Sequence, residues 1–119
     1  MTARQSLGEY GERVAARHLI EHGMTLLDRN WRCDIGELDL VLREGDVLVF
    51  AEVKTRRSTS FGSPFEAVTA AKGARLRRLA ARWLAEHDVH CAEVRIDLVG
   101  VLQDGRGAAE VDHLRGVLS

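Results

Sequence analysis

Apolar residues first recur at helical spacing. Leu7, Tyr10, Val14, Ala15 and Leu19 fall on one stripe of a 3.6-residue repeat, which predicts an amphipathic helix. Ser6 followed by Glu9 has the spacing of a capping box that would open this helix, and Gly23 stands where a helix commonly stops. The period then changes. Residues 24–27 are short and apolar, as expected of an edge strand, and Asp28-Arg29-Asn30-Trp31-Arg32 reads as a turn into the central strands. Residues 37–42 alternate, with Glu37, Asp39 and Val41 on one face and Leu38, Leu40 and Leu42 on the other. Arg43-Glu44-Gly45-Asp46 then reads as a hairpin turn in which Gly45 supplies a positive φ. Residues 47–53 are apolar almost throughout, as in a central strand covered on both faces.

Ser63-Pro64-Phe65-Glu66 predicts the opening of a long helix, with a second capping box and proline at the first helical position. Leu76, Leu79, Ala80 and Trp83 mark its buried stripe, and residues 94–101 and 109–113 read as two further strands. The order α-β-β-β-α-β-β predicts an α/β fold, a mixed sheet flanked by helices. At 119 residues the chain has the size of one domain, and 45% hydrophobic residues suffice for its core. No apolar run approaches the roughly 18 residues that span a bilayer, and the first residues lack the basic-then-apolar order of an export signal. The expected compartment is therefore the cytoplasm, with Cys33 and Cys91, which form no C-x-x-C motif, as reduced thiols.

A net charge of −1 is unusual for a domain that binds nucleic acid, but the charges are unevenly spread. Lys72, Arg75, Arg77, Arg78 and Arg82 follow one another without an intervening acid. Arg75, Arg78 and Arg82 are spaced to form one helical stripe beside the core face, suited to phosphate contacts or simply to solvent. Lys72 lies about one turn upstream, toward the core. Arg56 and Arg57, just after the second central strand, are stronger candidates for phosphate contact. His18 and His22 have a zinc-compatible spacing but no third ligand in the sequence around them.

The acids carry the sharper signal. Asp39 lies on one strand of the expected hairpin, and Glu52 and Lys54, two apart, share a face of the other. Two carboxylates and an ammonium are expensive to place in a Val/Leu-rich sheet without partners. A hard divalent cation such as Mg²⁺ would resolve that cost, since it takes oxygen ligands and commonly uses one or two carboxylates with substrate phosphate. Lys54 could then orient or deprotonate an attacking water. The alternative is a set of structural ion pairs at the end of the sheet.

Gly36-Glu37-Leu38-Asp39-Leu40-Val41 followed by Val49-Phe50-Ala51-Glu52-Val53-Lys54-Thr55-Arg56 resembles the YraN-type bacterial family. That family is itself similar to Holliday junction resolvases and other restriction-endonuclease-like nucleases. The resemblance runs nearly end to end, through residues 8–12, Asn30-Trp31-Arg32, Phe61-Gly62-Ser63-Pro64, Lys72 and Arg95-Ile96-Asp97. It implies a restriction-endonuclease-like fold and a Mg²⁺- or Mn²⁺-dependent endonuclease acting on DNA, with branched or damaged duplexes as candidate substrates. Asp39, Glu52 and Lys54 fall on the acid and acid-x-lysine positions, with Leu38 where the wider pattern has proline. Glu12 falls on the position of a helical glutamate that assists the metal. The resemblance also admits a homodimer, and, as the alternative function, a non-catalytic DNA-binding or recombination accessory module.

Overall fold

The computed structural model describes residues 2–58 and 69–117, and of Arg4 the backbone alone. Helix α1 spans Ala3–Glu21, and strands β1 (Thr25–Cys33), β2 (Gly36–Glu44) and β3 (Val47–Arg56) follow it. Helix α2 (Ala70–Glu86) leads to β4 (Glu93–Leu102) and β5 (Glu110–Leu114). The element order is the one the sequence predicts. The strands form one sheet in the order β1-β2-β3-β4-β5. β3 and β4 are parallel and every other pair is antiparallel, so α2 is the crossover that parallel neighbours require.

Each helix covers one face. Ala15, Ala16 and Leu19 of α1 pack on Leu40, Leu42, Val49, Ala51, Val99 and Val101. On the other face Leu76, Leu79, Ala80 and Trp83 of α2 pack on Val41, Leu48, Phe50 and Ile96. Residues 47–53 alternate between these two layers, which is why that strand lacks polar positions until Glu52. The result is a mixed α/β architecture, consistent with the restriction-endonuclease-like fold.

Several local expectations are corrected. Helix α1 starts at Ala3, not after Ser6. Thr2 is the N-cap, accepting from the Gln5 N–H, and the Gln5 side chain returns a bond to the Thr2 N–H. This second capping pattern lies one turn upstream, and nothing between it and Ser6 opposes a helix. The buried stripe of α1 is Gly11, Ala15, Ala16 and Leu19, while Leu7, Tyr10 and Val14 are only half-buried. Its small residues bring the helix close to the sheet: a Cβ on Gly11 would lie 1.7 Å from Thr55 Oγ1. Residues 28–32 are not a turn but the second half of β1, after a register shift between Leu26 and Asp28. A bulge bends an edge strand without ending it, and polar side chains are tolerated there. The shift also turns Asp28 toward Trp83, whose indole N–H it accepts at 2.9 Å.

The opening expected for the second helix at Ser63-Pro64-Phe65-Glu66 lies outside the described residues. The described helix begins at Ala70, with Thr69 as N-cap accepting from the Lys72 N–H. The β2–β3 hairpin forms with Gly45 at φ +60°, but its turn is Gly45-Asp46: Arg43 and Glu44, expected in the turn, pair with Leu48 and Val47 at the end of β2. Among the described residues no helix is long and apolar enough to cross a membrane.

Candidate metal centre

The hairpin register places the acids. Leu40 pairs with Ala51, and one further step along this antiparallel register sets Asp39 opposite Glu52. The regular ladder stops there. Instead of a backbone carbonyl, the Asp39 carboxylate Oδ2 accepts the Val53 N–H, at 2.8 Å.

Two further acids enter from either side. Glu12 comes from α1, held close by the Gly11–Thr55 approach, and Glu37 lies two residues before Asp39 on β2. Ligand oxygens of Glu12, Glu37 and Asp39 all lie within 4.8 Å of one another. Asn30 stands between Glu12 and Glu37. Its amide nitrogen donates to Glu12 Oε2 at 2.7 Å and to Glu37 Oε1 at 3.2 Å, the amide orientation that two carboxylate acceptors require. Asn30 adopts φ +51°, the left-handed region that asparagine enters more readily than most residues. Arg32 partly balances the group through a 3.2 Å pair with Glu37. An open cleft of about 770 Å³, lined by Glu9, Glu12, Asn30, Arg32 and Glu37 among others, leads to this cluster.

This crowding of negative charge is visible in the protonation of its members. Burial, then the Glu52 charge, push the Asp39 carboxyl up to about 7; the Val53 N–H opposes them, and Glu12 and Glu37 add to the rise. Burial and the charge of Glu37 also raise Glu12, against the Asn30 hydrogen bond.

The cations lie on the β3 side. Lys72 Nζ, on the first turn of α2, is 3.0 Å from Glu52 Oε1, and both side chains are about 85% buried, at 15% and 14% exposed. Lys54 meets Lys72 as well. Its amine is held below the ordinary lysine range by a side-chain hydrogen bond with Lys72, by burial and by the Lys72 charge, with Glu52 and Asp39 pulling the other way.

Asp39, Glu52, Lys54 and Glu12 are thus brought together, as the sequence predicts. Lys72, expected as a phosphate contact, is instead paired with Glu52 beside the same group of residues. Arg75 and Arg78 are exposed on α2, and Arg57 is exposed at the end of β3 with Arg56 half-buried beside it. Arg82 departs from the expected stripe: it reaches across to Asp34 at 2.9 Å and back to Glu86 at 3.1 Å. Its guanidinium therefore ties the β1–β2 turn to α2. Sequence reasoning missed Glu37 and Asn30 as members of the site. Alternation already put Glu37 on the face of Asp39, but Asn30 joins only through the bulged register of β1.

A second polar centre lies elsewhere, on β4. Asp97 is fully buried and accepts from Arg95 Nε at 2.8 Å, from Arg95 Nη2 at 3.0 Å and from the Gly116 N–H at 2.9 Å. His113 Nε2 lies 2.7 Å from Asp97 Oδ2. Arg95 also pairs with Glu44, which in turn meets Arg115. This network fastens β5 and the segment after it to the sheet.

The chain is similar over almost its whole length to several UPF0102 proteins. A UPF0102 protein of Beutenbergia cavernae is 64% identical over 117 residues, covering 98% of this chain and 99% of the relative. One from Nocardioides is 60% identical over 114 residues, covering 96% and 92%, and one from Streptomyces coelicolor 57% over 119 residues, covering 98% and 92%. The family model matches residues 11–101, a span that holds Glu12, Asn30, Glu37, Asp39, Glu52, Lys54 and Lys72. The chain belongs to the uncharacterised protein family UPF0102, the YraN-type family whose motifs it carries.

Proposed function

We propose that the protein is a metal-dependent endonuclease that hydrolyses phosphodiester bonds of DNA. The observation that carries this reading is the convergence of Asp39, Glu52, Glu12 and Glu37 with Lys54 at the open end of the β2–β3 hairpin. The donor set suits Mg²⁺ or Mn²⁺: carboxylate oxygens only, drawn from three elements, with burial and the neighbouring carboxylates raising the proton affinity of Asp39. Asp39, Glu52 and Glu12 would hold the ion, with Glu37 as a fourth oxygen donor. Bound there, a divalent cation supplies charge to the phosphoryl oxygen and acidity to a water.

The protein's own groups do the rest. Lys54, whose amine is held below the ordinary lysine range by its contact with Lys72, can orient or deprotonate the attacking water and balance negative charge developing on the phosphoryl group. Asn30 fixes the orientation of Glu12 and Glu37. Arg56, Arg57, Arg75 and Arg78 would supply phosphate contacts that set the duplex over the cleft.

Cleavage of junction, flap, nicked and linear DNAs in Mg²⁺, Mn²⁺ and EDTA tests this. The expected result is cutting that needs the metal and disappears in Glu52→Gln. Cutting at the wild-type rate by purified Glu52→Gln would overturn the assignment. One observation favours a second reading, a DNA-binding module without catalysis: Lys72 already satisfies Glu52 without any metal. DNA binding with no cutting on any of these substrates would select it.

A further inference from the structure

Resting on the nuclease reading, one contact in the pocket calls for a function of its own. Lys72 sits in the first turn of α2, three residues after the N-cap, and that turn contains no acid. A cation there opposes the helix dipole, so helix stability does not account for it. Its ammonium is instead directed into the site, 3.0 Å from Glu52 and against Lys54. Among the described residues, the carboxylates that gather within 4.8 Å of one another are Glu12, Glu37 and Asp39. Glu52, the acid of the acid-x-lysine pair, stands outside that group with its Oε1 on Lys72.

We propose that Lys72 is an exchangeable internal cation: it holds Glu52 in the free protein, yields that carboxylate to the metal, and transfers its own ammonium to the DNA phosphate. The physical basis is the cost of an unpaired buried charge. Lys72 is only 15% exposed, so once a metal takes Glu52 the ammonium has lost its partner and faces both Lys54 and the ion. A phosphodiester oxygen is the anion that the cleft can bring to it. Metal and phosphate then bind with positive coupling, because each relieves a charge imbalance that the other creates. Without DNA the exchange is unfavourable, and the metal is held weakly.

The test compares wild type with Lys72→Met, which keeps the length of the stem without its charge, and with Lys72→Arg. Mn²⁺ affinity is measured by calorimetry without DNA, and the affinity of a junction DNA is measured in Ca²⁺ and in EDTA. Lys72→Met should bind Mn²⁺ about fivefold or more tightly than wild type. The gain in DNA affinity that Ca²⁺ gives the wild type should also be smaller in Lys72→Met, and Lys72→Arg should keep it. Lys72→Gln serves the same comparison should Lys72→Met not fold. Equal or weaker Mn²⁺ binding by the neutral variant, or an undiminished Ca²⁺ effect, would overturn the exchange while leaving the metal site standing. Absence of Mn²⁺ binding in every protein, with and without DNA, would overturn the nuclease reading and the exchange with it.

Discussion

The Asp39 carboxylate accepts the Val53 N–H at 2.8 Å, so that a side chain ends the ladder between β2 and β3. This one bond sets the carboxylate between the strands, where Glu52, Glu12 and Glu37 all raise its proton affinity. The consequence for stability has a definite sign. The unfolded carboxyl titrates near 3.8 and the folded one near 7, so between those values the folded state holds a proton that the unfolded state has lost. Stability of the metal-free protein should therefore fall as pH rises from about 4 to 7 and level off above, by on the order of a few kcal/mol at most.

Asp39→Asn keeps an oxygen for the Val53 N–H and removes the charge. In EDTA its melting temperature should exceed that of the wild type at pH 8, and the difference should shrink toward pH 4. Thermal unfolding followed by circular dichroism across this range checks it. A difference that does not change with pH would mean that Asp39 is not the strained acid.

Asp97 should behave in the opposite sense. Burial would raise its pKa, but Arg95, the Gly116 N–H and His113 outweigh that and leave it below its ordinary value. Its stabilisation is thus present above 3.8 and lost as pH falls through the folded value. Asp97→Ala leaves the Arg95 guanidinium without its main partner and frees the chain after β5. It should destabilise by roughly 3–5 kcal/mol at neutral pH, seen as a lowered urea midpoint. Amide exchange should rise most in residues 110–117. A loss below about 1 kcal/mol would show the network to be ornamental.

Most of the architecture is legible in the sequence because it follows from side-chain periodicity. The apolar run of β3 and the Leu76–Leu79–Trp83 stripe each specify an element and its buried face, and the alternation of residues 37–42 does so for Leu40 and Leu42, whereas Leu38 packs with Val41 in the layer under α2. The triad Asp39, Glu52 and Lys54 is legible too, since a two-residue hairpin fixes which strand positions stand opposite. What escapes is decided by single-residue events with no periodic signal. The bulge near Leu27 converts an expected turn into half of β1, and with it brings Asn30 to the acids. Arg82 has the spacing of its neighbours Arg75 and Arg78, but the β1–β2 turn happens to present Asp34 to it. Lys72 reads as one more member of a basic run until its helix is docked and its ammonium is seen on Glu52.

Gly11 is the position where fold and site meet. It is buried against Thr55, and any side chain there would collide with the Thr55 hydroxyl and both carbons of that side chain. Alanine favours a helix by about 1 kcal/mol over glycine, but here the collision should dominate. Gly11→Ala should destabilise by roughly 1–3 kcal/mol and push α1 outward, carrying Glu12 away from Asp39. Gly11→Ala/Thr55→Ala should recover part of the stability. Unfolding curves of the single and double variants decide this. A stabilised Gly11→Ala protein would mean that the helix sits farther from the sheet.

The last prediction links the acids to the metal. Metal ligands must be deprotonated, so binding to a carboxyl that titrates near 7 releases its proton whenever the solution is more acidic. Mn²⁺ affinity should then rise about tenfold per pH unit between pH 5 and 7, and flatten above. Calorimetry in buffers of different ionisation enthalpy counts the protons directly. At pH 6 the wild type should release about one proton per Mn²⁺, and at pH 8 almost none. Glu12, also raised by burial and by Glu37, adds to the release without changing its sign. Asp39→Asn should bind Mn²⁺ more weakly at pH 8 because it has lost a charged ligand, and should release fewer protons at pH 6. Glu44, on the same strand but engaged with Arg95 and Arg115 far from the cluster, provides the control. Glu44→Gln should leave both affinity and proton count unchanged. Affinity that is flat from pH 5 to 8, or proton release that is undiminished in Asp39→Asn, would place the metal away from Asp39.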